Sequence, residues 1–275
     1  MIGVLAGALG LVVGLVIGTL GGGGGVLAVP ALVYALGQDA RAATTGSVVI
    51  VGVVSAVGVL TRLRDRSVDW RTGIVFGLVG VPAAWAGTLL NRVAPQPVLL
   101  LSFSALTLAI AVLLLVRSTP ARAPAHGTED AGTAAADPDS GATTVLAPPR
   151  RFVRAAQVVV SGAVVGFLTG FLGVGGGFLV VPALAIVLGL AMPAAIATSL
   201  LVLTLNAGGS LAARAGHLDL DWAVLGPFVG VAVVAALAGK LISDRLSSAS
   251  LGRAFAALLL LVGGFVGVES VLALL

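Results

Sequence analysis

One apolar pattern with a built-in break occurs twice in this chain. The first copy reads Gly21-Gly22-Gly23-Gly24-Gly25-Val26-Leu27-Ala28-Val29-Pro30-Ala31-Leu32, and the second reads Gly173-Val174-Gly175-Gly176-Gly177-Phe178-Leu179-Val180-Val181-Pro182-Ala183-Leu184. In each, an apolar run meets a block of glycine and restarts through a short piece carrying proline. Glycine loses the most backbone entropy on ordering, so such a block predicts an interruption rather than a continuous helix. The surroundings make that interruption costly. Hydrophobic residues are 59% of the 275, charged residues 9%, and the mean hydropathy is +1.16. Successive runs approach the roughly 20 residues needed to cross a bilayer. A broken helix in lipid exposes N–H and C=O groups that water cannot satisfy, so two breaks imply backbone with a function.

The chain therefore reads as an all-α polytopic membrane protein. Strand-type alternation is absent, which argues against a β-barrel. The net charge of +4 does not point to nucleic acid, because the basic residues lie in the loops between apolar runs. With no cysteine, disulfides and thiolate metal sites are excluded. The first residues, Met1-Ile2-Gly3-Val4, lack a basic region and enter the apolar run directly, as a first helix rather than a signal peptide.

In order, the expected elements are residues 2–20, a 12-residue half-helix at 26–37, then 42–60, 72–90 and 98–116. The half-helix reaches only about 18 Å against a hydrocarbon core of about 30 Å. Residues 118–150 are Ala, Pro, Thr, Gly and Asp, with too little apolar surface to offset their ordering entropy, and predict a flexible linker. From Phe152 the first half recurs at an offset of 152 without gaps: Gly14 with Gly166, Pro30 with Pro182, Ser47 with Ser199, Arg62 with Arg214, and Asp69-Trp70 with Asp221-Trp222. Register held over some ninety residues marks an internal duplication. The expected domains are a first membrane repeat over 1–117, a cytoplasmic linker over 118–151, and a second repeat over 152–275.

Five elements per half would make the repeats inverted. Placing the Arg62–Arg71 loop in the cytoplasm then leaves only Arg41, Arg92 and Arg214 of the 15 basic residues outside. Four spans per half leave five outside, so the positive-inside rule favours the inverted plan. Inverted repeats with a broken helix in each half are the plan of many secondary transporters. A half-helix that starts at a glycine break aims unpaired N–H groups at the gap, which suits an anion. A cation path calls for intramembrane carboxylates, and Glu269 alone lies within an apolar run, close to its end.

The candidate substrate-binding residues are Gly23, Gly24, Gly25, Thr44, Thr45 and Ser47 in one half, and Gly175, Gly176, Gly177, Thr198, Ser199 and Asn206 in the other. Hydroxyls and amides there could hold oxyanion oxygens; helix capping or interhelical bonding is the alternative for each. Asn206, deepest in its run, is the strongest single candidate. Arg62 and Arg214 could attract anions or simply snorkel. Asp69 and Asp221 read as helix N-caps beside interfacial tryptophans. Neither glycine block continues into Lys-Ser or Lys-Thr, and no G-x-S-x-G or H-E-x-x-H occurs, so no enzyme, cofactor or metal site is expected.

The paired G-x-G-G-G-x-x-x-V-P-x-L segments, with Thr45–Ser47 and Ala197–Ser199 after them, resemble the TauE/SafE sulfite exporter family. The resemblance implies export of sulfite, sulfonates or related small organic anions across the plasma membrane, coupled to an ion gradient. The expected partners are that anion, the lipid bilayer and a coupling proton or sodium ion, with a homodimer as one assembly open to the chain. A channel for anions and a non-transporting scaffold subunit are the rival readings.

Overall fold

The computed structural model describes residues 2–38, 40–63, 65, 67–91, 93, 95–118, 150–172, 177–213 and 221–272. The elements are α1 (Ile2–Leu20), α2 (Gly24–Pro30), α3 (Ala40–Arg62), α4 (Trp70–Asn91), α5 (Gln96–Ser118), α6 (Arg150–Leu172), α7 (Gly177–Pro182), α8 (Met192–Ala213), α9 (Trp222–Ser243) and α10 (Ser248–Leu272). Among the described residues there is no strand. Seven helices are long and apolar enough to cross a membrane, with shorter apolar segments at Gly24–Val33, Leu101–Val116 and Gly177–Val187. The chain is a polytopic helical membrane protein.

The two aspartates start helices, as the sequence predicts. Asp69 takes Thr72 N–H on Oδ1 at 3.1 Å and the Thr72 hydroxyl on Oδ2 at 2.7 Å. Asp221 takes Ala223 N–H on Oδ1 at 3.0 Å. Each satisfies one of the N–H groups that a helix start leaves without an internal partner.

The first glycine break is real, and the segments that follow the two glycine blocks have a common form. Gly21 carries a φ of +81°, which a side chain would resist, and the helix restarts at Gly24 with Gly23 as its N-cap. The expected restart was two residues later. Glycine is well tolerated at a helix start, where the backbone donors are unpaired in any case, so the last glycines of the block join the helix. Pro30 then ends α2, and a π-turn over Ala31–Ala35 follows. Proline has no N–H to give the preceding turn, and the wider winding absorbs the mismatch. Gly37, at φ +65°, closes the segment while Gln38 N–H bonds Leu32 O at 3.0 Å. The second half does the same at Pro182, Ala183–Val187 and Gly189, with Leu190 N–H on Leu184 O at 3.1 Å. This is a left-handed glycine cap lengthened by one residue because the turn before it is π.

The packing obeys the 152-residue offset. A Cβ at Gly10, Gly14 or Gly18 of α1 would strike the backbone of Phe228, Ala232 or Ala236 of α9. Gly162, Gly166 and Gly170 of α6 face Phe76, Gly80 and Ala84 of α4 in the same way. Residue numbers rise together in both pairs, so α1 runs parallel to α9, and α6 parallel to α4. Lipid supplies no hydrophobic drive for helices to associate, so close backbone approach through small residues is what holds such pairs. Each first helix thus lies against the other half, while α3 packs on α8, α5 on α10 and α2 on α7. At one end of the bundle Lys240, in the last turn of α9, meets Asp65 beyond α3. At the other, Asn91 Nδ2 of α4 donates to Phe171 O of α6 at 2.6 Å.

Candidate functional site

A cavity of about 520 Å³ lies where α3, α4 and α8 converge beside the end of α6. Ser47, Val48 and Val51 of α3 form one wall, and Leu203, Asn206, Ala207 and Ser210 of α8 form the facing one. Val81, Ala84, Trp85 and Thr88 of α4 and Thr169 of α6 complete it, with Gly25 from the first turn of α2. Trp85 and Gly209 are exposed and stand at its rim. No charged side chain appears in this wall among the described residues.

Three expected site residues therefore meet in one place: Gly25, Ser47 and Asn206. Asn206 is distinctive, since its Oδ1 is buried with no hydrogen-bond partner among the described residues. A buried amide without a partner costs about 1–3 kcal/mol. Its carboxamide carries two N–H donors as well as the carbonyl, so a guest with acceptor oxygens can be bonded by it. Ser47 donates to Thr44 O at 2.8 Å, so its hydroxyl hydrogen is already taken.

The other candidates take structural places. Ser199, the counterpart of Ser47, donates to Ile196 O at 2.8 Å and is fully buried. Its hydroxyl lies where a Cβ on Gly21 would go. Thr198, also fully buried, accepts from Asp69 N–H at 3.0 Å and so links the halves. Thr44 and Thr45 are half-buried and outside the cavity wall. A side chain at Gly23 would meet Leu258, and one at Gly24 would meet Ile17 and the Val13 carbonyl, so both glycines serve packing against neighbouring helices. Gly177 abuts the backbone of Gly22, bringing the two broken segments into contact. Gly175, Gly176, Arg214 and the linker over 119–149 lie outside the described residues.

Thr88, Thr169 and Ser210 are in the cavity wall without having been expected there. Ser210 follows Asn206 by four residues, hence on the same helical face. Helical spacing counted onward from Asn206 would have found it.

Arg62 lies in a second, smaller cavity of about 240 Å³ with Asp65, Ser67, Pro193, Ser243 and Asp244. It is 4% exposed. Its Nη2 donates to Gly18 O at 2.7 Å and its Nη1 to Gly58 O at 3.4 Å. Gly18 O belongs to the last turn of α1, whose carbonyls lack internal donors, so Arg62 caps that helix with a favourable charge.

The family model for the TauE/SafE sulfite exporters matches residues 6–266. The chain belongs to the TauE/SafE sulfite exporter family. Two proteins of Xylella fastidiosa, from strains Temecula1 and 9a5c and each called a probable membrane transporter protein, are 30% identical to it over 268 residues, covering 94% of this chain and 92% of theirs. The probable membrane transporter protein YunE of Bacillus subtilis strain 168 is 27% identical over 206 residues, 72% of each chain. No solved structure matches the chain. A TauE/SafE chain is a membrane transporter, and in this one the cavity sits at the meeting of helices from both halves.

Proposed function

We propose that this TauE/SafE chain is a secondary transporter of a small anion, sulfite, an organosulfonate or a related organic anion, in the plasma membrane. The observation that carries this is the polar-spotted cavity, without a charged side chain among its described residues, in which the buried Asn206 Oδ1 has no hydrogen-bond partner among them. A permanent charge in that wall would hold an anion too firmly to release it, whereas neutral donors bind and let go. The family supports an oxyanion as the guest. The halves act as inverted repeats that rock against each other to give alternating access, with a proton or sodium gradient as the drive and no catalytic chemistry. Two observations favour this plan: the exchanged packing of α1 and α6, and the meeting of the end of α9 with the start of the α3–α4 connection. Close packing of α3 on α8 at Gly52, where a Cβ would meet Ala207, favours this over a continuous channel.

Counterflow in proteoliposomes tests the proposal, with vesicles preloaded in turn with sulfite, thiosulfate, a two-carbon sulfonate, lactate and a cation control. Exchange confined to sulfur oxyanions is expected, slowed when proton and sodium gradients are collapsed. Exchange with lactate alone would keep the mechanism and discard the sulfur substrate. Silence in folded protein would favour the scaffold reading.

A further inference from the structure

A single face of α3 connects the two cavities. Ser47 and Val51 stand in the wall of the larger, and Arg62 in that of the smaller, at the other end of the helix. Ser55 and Gly58 fall between them. The spacings of four, four, three and four residues keep all five on one side of a helix. Ser55 is fully buried, and its hydroxyl has no hydrogen-bond partner among the described residues. A helical serine commonly donates to a carbonyl one turn back. Ser47, Thr61, Ser199 and Thr204 all do so. Ser55 does not, although leaving a buried hydroxyl unpaired is destabilising.

Beyond Val51 the helices lie close: a Cβ at Gly52 would meet Ala207, and one at Gly58 would meet Leu200. At the far end Lys240 of the second half holds Asp65 of the first at 2.8 Å and Asp244 at 3.1 Å. The 152-residue offset pairs Ser55 with Ala207 and Lys240 with Thr88. Both partners line the larger cavity. The same two positions are thus open in one half and closed in the other. An ion pair whose carboxylate is about half exposed contributes little to stability, so a moving segment can break it at small cost.

We propose that this face of α3 is the route by which the anion leaves the larger cavity. The Ser55 hydroxyl is the ligand that receives it once that cavity has closed, and the Lys240–Asp65 pair is the gate at the far end. This rests on the anion-transport reading given above.

The chain contains no cysteine, so one introduced thiol reports its own accessibility. Ser55→Cys and, as a control for folding, Ser210→Cys are placed in the full chain, in right-side-out and inside-out vesicles, and exposed to a membrane-impermeant maleimide. Ser210→Cys is expected to react from the side where Asn91 lies. Ser55→Cys is expected to react from the Arg62 side, at least tenfold faster when Lys240→Gln is added. Reaction of Ser55→Cys from the Ser210 side, or no acceleration by Lys240→Gln while Ser210→Cys labels normally, overturns the route. Ser55→Ala, which adds no bulk, should lower sulfite flux at least tenfold with undiminished thermal stability; unchanged flux overturns the role of the hydroxyl. Gated labelling without sulfite flux would keep the route and refute the substrate, whereas sulfite flux without gated labelling would do the reverse.

Discussion

At the scale of single residues, the difference between a polar group that serves the fold and one available to a guest is whether a backbone partner has already taken it. Ser199 and Thr198 are fully buried and bonded; Asn206 is not. Replacing Asn206 by Leu removes an unpaired acceptor and fills similar space, so thermal stability in detergent should hold or rise. Sulfite counterflow should nevertheless drop by at least tenfold. A parallel loss of both would mean that Asn206 is structural. Asn206 was legible in the sequence because an amide inside an apolar run is conspicuous. The fate of Ser199 was not, since residue type states what a hydroxyl can donate but not which carbonyl lies one turn back within reach. Gly24 belongs to the conspicuous block, but that its missing side chain makes room for Ile17 was not readable from residue type.

At the scale of elements, the glycines divide into three kinds that look alike as letters. Gly37 and Gly189 adopt φ +65° with open space around them, so Gly37→Ala is strained by backbone alone and should cost about 1–2 kcal/mol, read as a lower unfolding temperature. Gly166 faces the backbone of Gly80. Gly166→Val would force α6 away from α4, and the expected result is loss of folded, monodisperse protein on gel filtration. Gly208 is exposed, with nothing within 4 Å. Gly208→Ala should raise stability by up to about 1 kcal/mol through helix propensity. The repeat and the number of apolar segments were readable from periodicity and the offset. The neighbours of each glycine stripe were not, because a small-residue stripe announces close packing without naming what is packed. The π-turns were likewise hidden: proline at 30 and 182 signals a disturbance, but the winding it forces depends on the glycine caps that follow.

At the scale of the whole molecule, stability is shared between the halves rather than stored in each. Deleting residues 128–144 from the linker should leave counterflow intact, provided the remaining residues still join α5 to α6; loss of flux in well-inserted protein would give the linker a role of its own. The first helix of either half lies against the fourth helix of the other, and this has a bearing on descent. A polypeptide of half this length would have no α9 to receive its α1. Its glycine stripe could be covered only by a sister molecule offering the same groove in return. If the duplication preserves an older fold, the ancestor was a pair of chains exchanging their first helices, the arrangement that one chain now holds within itself.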